Sequence, residues 1–135
     1  MIVGVGIDLV EVERMRCLLD RKGERALFRL FTEGERNYAA SQIEPARQLA
    51  ARAAAKEAAF KALAGNDLAR GIGWRELEVL SRHGQAPVLL LHGRAAERAT
   101  ELGVTRVHLS LTHTDLTPMP APLNNTAMAW SWQFG

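Results

Sequence analysis

Residues 55–63 read Ala-Lys-Glu-Ala-Ala-Phe-Lys-Ala-Leu and lie late in an alanine-rich stretch that decides the fold. Between positions 49 and 64 the charged residues are limited to Arg52, Lys56, Glu57 and Lys61. A helix that is apolar nearly all round is typical of a protein interior. Because buried charges are costly unless they are paired or bound to a metal, the pattern predicts partner groups that face these charges. Glu57 and Lys61 lie one turn apart on one face, where they could serve a cation and the phosphates it carries.

The composition indicates an ordinary globular protein. The chain has 135 residues, enough for one domain over 1–135 with a real core, and its net charge is +2. That charge suggests an anionic partner only weakly and does not demand nucleic acid. Cys17 is the single cysteine, which excludes an internal disulfide and fits a reducing cytoplasm. We find no signal peptide and no apolar run of membrane-spanning length, and therefore expect a cytoplasmic protein without a membrane partner.

Apolar periodicity and boundary residues predict one strand and several helices in the first half. An apolar strand runs from Ile2 to Ile7 and ends at Asp8. Thr32 followed by Glu35 has the spacing of a capping box, and Pro45 is suited to the first turn of the long central helix. Gly23 is expected to break the first helix. The predicted helices span about Val10 to Arg21, a short segment around Leu27 to Phe31, Thr32 to about Ala40, and Pro45 to Ala64.

The second half is predicted to be mainly strands. Its expected elements are strands at Leu77–Leu80 and Val88–Leu91, a helix at Arg94–Leu102, a half-exposed strand at Val107–Thr112, a proline-rich loop at Asp115–Asn125 and a last strand at Thr126–Trp132. The segment Gly84–Pro87 predicts a hairpin turn between the first two of these strands. Helices first and antiparallel strands later indicate an α+β fold, in which a mainly antiparallel sheet packs around the long buried helix.

Asp8 has two interpretations that are compatible with each other. With Glu11 it has capping-box spacing, and from spacing alone an N-cap is the favoured interpretation. A carboxylate at a strand end could also bind a metal, since a cap needs only one of its oxygens. Magnesium is commonly held by one or two carboxylates together with substrate phosphates and waters. Asp8 and Glu57 would supply that pair, and Lys61 would neutralise a phosphate.

Other candidates also have simpler structural interpretations. Glu57 and Lys61 could be an ordinary i, i+4 pair worth about 0.2–0.5 kcal/mol, although the apolar surroundings argue against it. A lone histidine such as His113 after an alternating strand is more often structural or exposed than catalytic. Positions 14–29 carry six basic and two acidic residues. Such a run is usually a solvated surface, but it could receive an acidic protein, with Leu18 as an apolar contact among the arginines.

Three segments together carry a family resemblance. Gly6–Arg14, Lys56–Ala62 and Val107–Thr114, in this order and spacing, resemble holo-[acyl-carrier-protein] synthase, a 4'-phosphopantetheinyl transferase family. The resemblance implies transfer of phosphopantetheine from coenzyme A to a serine of apo-acyl carrier protein, in support of fatty-acid biosynthesis. It also implies Mg²⁺ as cofactor, a homotrimer with sites between subunits, and no nucleic-acid partner.

The resemblance assigns roles to particular positions. It implies that Asp8 and Glu57 are magnesium ligands and that Lys61 lies at the coenzyme A phosphates. Further coenzyme-binding positions, some of them reaching a neighbouring subunit's site, are Arg52, Lys56, Gly84, Pro87, Thr112 and His113. The face that receives the carrier comprises Arg14, Leu18, Arg21 and Arg25. The base that accepts the serine proton stays open between a metal-bound water oriented by a carboxylate, a nearby carboxylate, and His113.

The chain departs from the family pattern at several places, which keeps two other classes of function in view. Ala53 replaces a phenylalanine, positions 64–66 replace a Gly-Thr-Gly, the turn at 84–87 lacks a lysine, and a proline-rich stretch precedes the last strand. A degenerate coenzyme-A-binding trimer without transferase activity is therefore the first alternative. A small basic nucleic-acid binder is the second, and the aromatic content of 6% counts against it.

Overall fold

The computed structural model describes residues 1–65, 67–113 and 126–134. Its first half contains strand β1 and three helices, and its second half contains four strands, two helices and a short 3₁₀ turn. In chain order the elements are β1 (Ile2–Glu11), α1 (Val12–Leu30), α2 (Glu33–Ala40), α3 (Pro45–Leu63), α4 (Asp67–Arg70), the 3₁₀ turn Trp74–Glu76, β2 (Leu77–Leu80), β3 (Val88–Leu91), α5 (Gly93–Glu101), β4 (Arg106–His113) and β5 (Thr126–Phe134).

The strands form two antiparallel units. β1, β5 and β4 make a three-stranded sheet in that order, and β2 and β3 form a separate hairpin. The three-stranded sheet therefore joins the first strand of the chain to the last two, with the helices between them in sequence. The predicted α+β fold is confirmed. No helix within the described ranges has the length and apolar character needed to cross a membrane.

Helix α3 forms the centre of the structure. Ala50, Ala54, Ala55, Ala58 and Ala59 are completely buried along it, and its flanks pack against both hydrophobic clusters of the core. Small side chains let neighbouring elements approach the helix axis closely. The prediction that this helix lies in the interior is therefore confirmed.

The closest approach to α3 is made by β1 at Gly6. A Cβ atom on Gly6 would overlap the carbonyl oxygen of Ala58, so this position accepts no side chain. Two residues later on the same face of β1 comes Asp8, because side chains alternate along a strand. The contact at Gly6 therefore places the Asp8 carboxylate beside the last turns of α3.

The structure corrects the predicted start of α1. β1 continues through Asp8 to Glu11, and α1 begins at Val12 without a capping hydrogen bond from the Glu11 side chain. The expected capping box at Asp8 is therefore wrong, since this residue lies inside a strand paired with β5. Gly23 does interrupt α1, with φ 52° and ψ −134°, a backbone conformation that other residues strongly disfavour.

Most other predicted boundaries agree with the structure. The Thr32 hydroxyl accepts from the Glu35 amide at 3.2 Å and the Glu35 carboxylate accepts from the Thr32 amide at 3.0 Å, which confirms the capping box. Pro45 begins α3, and the hairpin and the later strands form as expected. The predicted loop at Asp115–Asn125 lies outside the described residues.

Candidate active site

A cavity of about 690 Å³ lies where β1, α1 and α3 meet. β1 contributes three consecutive residues to its wall, α1 contributes most of the remainder, and α3 contributes two. Its lining residues are Asp8, Leu9, Val10, Arg14, Met15, Cys17, Leu18, Arg21, Lys22, Leu30, Ala53, Glu57 and Trp74. The cavity therefore combines two carboxylates, basic side chains of α1 and an apolar wall.

The two carboxylates of this cavity come from positions 49 residues apart in sequence. Asp8 is carried by β1 and Glu57 by α3, and the tight packing of Gly6 on Ala58 brings the two elements together. Carboxylate oxygens are the donors that Mg²⁺ prefers, and this ion usually keeps further positions for waters and substrate phosphates. Two carboxylates at an open cavity thus fit a magnesium ion that also contacts a phosphate ligand.

Lys61 joins this site through Asp8. Its ammonium donates to the Asp8 carboxylate at 2.6 Å and to the carbonyl oxygen of Ile7 at 3.0 Å. The Lys61 side chain stays 54% exposed, whereas that of Asp8 is 19% exposed. The ion pair therefore links α3 to β1, in place of the simple i, i+4 pair with Glu57, and leaves the lysine accessible to a ligand.

Lys56, five residues earlier on α3, is completely buried. Its ammonium donates to Glu35 at 2.6 Å, to the Leu30 carbonyl at 2.8 Å and to the Trp74 carbonyl at 2.9 Å. Burial lowers the pKa of Lys56, and the Glu35 carboxylate opposes that shift. An ammonium has three donors, and protein oxygens take all three. The coenzyme contact implied for Lys56 has no donor left in this structure, so its role here is in the framework of the site.

Arg52 is also buried, on the side of α3 that faces β2. Its guanidinium donates to the Gln48 carbonyl at 3.1 Å and to the Ser81 hydroxyl at 2.8 Å, and it stacks 4.3 Å from the centre of the Tyr38 ring. Burial lowers the pKa of Arg52 from its ordinary value. Arg52 is not a lining residue of the cavity, so the structure does not bring it to the carboxylates.

The predicted carrier-binding face forms a second cavity of about 520 Å³ beside the first. Four of its lining side chains are basic and none is acidic. The lining residues are Leu18, Arg21, Lys22, Arg25, Ala26, Arg29, Leu30 and Trp74. Leu18, Arg21 and Arg25 therefore lie together as predicted, whereas Arg14 lines the first cavity. A surface with this charge is suited to an acidic ligand.

The remaining predicted positions are not lining residues of either cavity. Gly84, with φ 73°, and Pro87 belong to the turn between β2 and β3. Thr112 and His113 end β4, where His113 pairs with Ala127 of β5, and both side chains are exposed. The single chain therefore does not unite these four residues with Asp8 and Glu57.

Sequence reasoning missed several wall residues of the site. Met15 and Leu30 were apolar positions of helices, and Trp74 followed a glycine without a recognisable motif. All three line the first cavity, and Leu30 and Trp74 line the second as well. No local pattern identifies them, because they become neighbours only when the 3₁₀ turn packs against α1.

Comparisons with known proteins bear on the family and the fold of the chain. The sequence profile of the 4'-phosphopantetheinyl transferase superfamily matches residues 4–116. The holo-[acyl-carrier-protein] synthase of Koribacter versatilis is 44% identical over 115 residues, which cover 85% of this chain and 91% of that protein. The crystal structure of holo-[acyl-carrier-protein] synthase from Neisseria meningitidis has a TM-score of 0.78 and 25% identity, with 100% of both chains covered.

A second solved structure bears on the ligand. The holo-(acyl-carrier-protein) synthase of Bacillus anthracis, solved in complex with CoA (3',5'-ADP), has a TM-score of 0.71 and 29% identity, with 98% of this chain and 96% of that chain covered. The profile match covers most of the chain, and the curated relative and the solved structures agree with it. On sequence and on structure alike, the chain belongs to the 4'-phosphopantetheinyl transferase superfamily.

Proposed function

We propose that this protein is a magnesium-dependent holo-[acyl-carrier-protein] synthase. It transfers the 4'-phosphopantetheine group of coenzyme A to a serine of apo-acyl carrier protein and releases adenosine 3',5'-bisphosphate, in support of fatty-acid biosynthesis. The observation that carries the proposal is that Asp8 and Glu57 line one cavity, that Lys61 is ion-paired with Asp8, and that a basic surface adjoins this cavity. The family match and the relatives with this activity in their names support it.

The residues of the site suit displacement at a phosphorus atom, which needs alignment and charge neutralisation more than covalent chemistry by the protein. Asp8 and Glu57 would hold the magnesium ion, which supplies polarisation of the pyrophosphate and stabilisation of the leaving group. The exposed ammonium of Lys61 neutralises phosphate charge beside them. The serine oxygen forms the new bond to phosphorus, the bond from phosphorus to the bisphosphate oxygen breaks, and the serine proton passes to a base.

The cavity favours a carboxylate as that base. Asp8 and Glu57 line it, and Lys61 engages Asp8 while Glu57 makes no ion pair with this lysine. His113 of the same subunit is not a lining residue. We therefore infer that, within a single subunit, the proton acceptor is a carboxylate of this cavity or a water that it orients. His113 would take this role only in a site shared with a neighbouring subunit.

We also propose that the protein is a homotrimer. Val5, Ile7 and Leu9 are 45%, 43% and 54% exposed on the face of β1 that points away from α3. Contiguous apolar side chains on an outer sheet face mark interaction surfaces. Assembly through this face would cover them and could bring Gly84, Pro87, Thr112 or His113 to another subunit's cavity. The exposed thiol of Cys17 suits the reducing cytoplasm in which we place the enzyme.

Intact-mass spectrometry of an apo-acyl carrier protein tests the proposed function. Incubation with this protein, coenzyme A and Mg²⁺ should add the mass of one phosphopantetheine, and EDTA should abolish the gain. Glu57→Gln should lower the rate on the order of 10²-fold because it removes a charged metal ligand. Coenzyme binding without any labelling of a competent carrier would instead support the degenerate binder. Light scattering at several concentrations tests the trimer.

A further inference from the structure

Trp74 occupies a position that neither the sequence motifs nor the family roles assign. It lines the cavity that holds the two carboxylates, and it also lines the basic cavity next to it. The residues shared by the two cavities are Leu18, Arg21, Lys22, Leu30 and Trp74. Trp74 is the one aromatic residue in this shared wall, and it lies where a ligand would pass from the basic surface towards the carboxylates.

Helix α3 holds Trp74 from two sides. The buried ammonium of Lys56 donates to the Trp74 carbonyl at 2.9 Å. The Phe60 ring, one helical turn further on, meets the indole edge to face, with 5.6 Å between ring centroids and 73° between planes. Glu57 lies between Lys56 and Phe60 in the helix. The turn of α3 that carries this carboxylate therefore also holds the Trp74 indole in position.

The charge of the basic cavity indicates which kind of ligand binds there. The basic cavity is lined by Arg21, Lys22, Arg25 and Arg29 without an acidic side chain, and Leu18 and Trp74 supply its apolar surface. An acidic protein segment with apolar side chains fits such a lining better than a lone anion. Tryptophan and arginine are among the residue types enriched at the few positions that dominate protein–protein binding energy.

We propose that Trp74 is a carrier-contacting residue that determines specificity at the junction of the two cavities. Its indole packs against the apolar side of the docked acidic segment, and Lys56 and Phe60 act as positioning residues through it. This inference rests on the proposed transferase function. It adds to the arginine face an apolar contact beside the carboxylates, where the segment carrying the acceptor serine must arrive.

Steady-state kinetics of Trp74→Ala and Trp74→Phe with apo-acyl carrier protein test the inference. Trp74→Ala should raise the KM for the carrier about tenfold, with a smaller change in kcat and in the KM for coenzyme A. Trp74→Phe should restore most of the loss. Ile43→Ala provides a matched control, because Ile43 is a fully exposed apolar side chain that lines neither cavity. An unchanged carrier KM in an active Trp74→Ala enzyme would overturn the inference and leave the proposed function intact.

A direct binding measurement separates contact from folding defects. In a Trp130→Phe/Trp132→Phe background Trp74 is the remaining tryptophan of the chain. Its emission should shift when a tryptophan-free apo-carrier is added and stay unchanged with poly-L-glutamate, an acidic polymer that also lacks tryptophan. Phe60→Leu should weaken the shift, since the ring that orients the indole is lost. Emission that does not respond to a carrier that the enzyme labels would contradict the contact.

Discussion

Two lysines of the same helical motif have different roles because one is buried and the other is exposed. Lys56 and Lys61 lie five residues apart on α3, yet the Lys56 side chain is 0% exposed and that of Lys61 is 54% exposed. Lys56 binds Glu35 and two backbone carbonyls in the interior, whereas the exposed Lys61 binds Asp8, a lining residue of the cavity. A sequence motif with two equivalent cations thus becomes one structural group and one group that can meet a ligand.

The physical cause of the difference is solvation. A buried ammonium must replace all its water with protein acceptors, and it cannot exchange them without a large cost. An exposed ammonium keeps part of its hydration, and its pairing with a carboxylate is weak enough to be exchanged for a phosphate. The buried Lys56 therefore stabilises the structure around the site, and the exposed Lys61 is the lysine that can bind a phosphate ligand.

The largest effect is expected from Lys56→Met. This substitution leaves Glu35 buried without its cation, and breaking a buried pair typically costs about 3–5 kcal/mol. Urea denaturation should show this loss in the free energy of unfolding. The matched double variant Lys56→Met/Glu35→Gln should recover part of it, because no unpaired charge remains while a side-chain oxygen is kept as an acceptor. A wild-type midpoint for Lys56→Met would show that the pair contributes nothing.

The converse is expected at Lys61. Lys61→Met should change the free energy of unfolding by less than about 1 kcal/mol, since exposed ion pairs contribute little. The same variant should reduce carrier labelling on the order of 10²-fold, because phosphate charge is no longer neutralised. Lys61→Arg should retain more activity than Lys61→Met. Loss of stability comparable to that of Lys56→Met would erase the distinction between the two lysines.

The smallest effect is expected at Glu78, a partly exposed carboxylate, and it concerns the stability of the protein in acid. Glu78 accepts from the Thr32 hydroxyl at 2.5 Å and lies 3.1 Å from the His92 ring, and the hydrogen bond from Thr32 is the main cause that lowers the pKa of Glu78. A carboxyl whose pKa is lowered by folding stabilises the protein above its unfolded pKa of about 4.5. This contribution is lost as the pH falls through the lowered folded value.

Thermal melts between neutral pH and pH 3 measure this dependence in the wild type and in Glu78→Gln. The wild type should lose more stability than the variant below about pH 4.5, because only the wild type must protonate this carboxylate. At neutral pH the two proteins should differ modestly. Parallel curves for the two proteins across the acid range would show that the Thr32–Glu78 contact does not lower the carboxyl pKa.

The helix boundaries could be predicted where their causes are local. Thr32 and Glu35 lie three residues apart, so the capping box depends on neighbours in sequence and forms as expected. Asp8 has the same local pattern with Glu11, but β5 pairs with β1 from Ile2 through Glu11 and keeps Asp8 extended, with Ala129 as its partner. That pairing joins segments more than a hundred residues apart, which no local pattern reports.

The residues of the site also divide into those that local sequence patterns predict and those that depend on long-range contacts. The carboxylates and Lys61 were predictable as a set through their motif, and the structure brings Asp8, Glu57 and Lys61 together. Glu35 was recognised as a capping residue only. Its Oε1, which accepts from the Thr32 amide, also accepts from Lys56, and its Oε2 accepts from the Val79 amide. The contacts with Lys56 and Val79 depend on packing across 21 and 44 residues. No sequence pattern identified Trp74 as a residue of the site, because its role depends on the elements that pack around it.

By itself the sequence determined the elements, the buried character of α3 and the residue types available for metal and phosphate binding, because these depend on periodicity, capping and local composition. Tertiary structure alone decided which charges are buried, which lysine pairs with Asp8 and which apolar residues form the wall of the cavity. Those outcomes depend on solvation and on contacts between distant segments. Gly6 against Ala58 is the clearest case, since one backbone contact across 52 residues positions the carboxylate of Asp8.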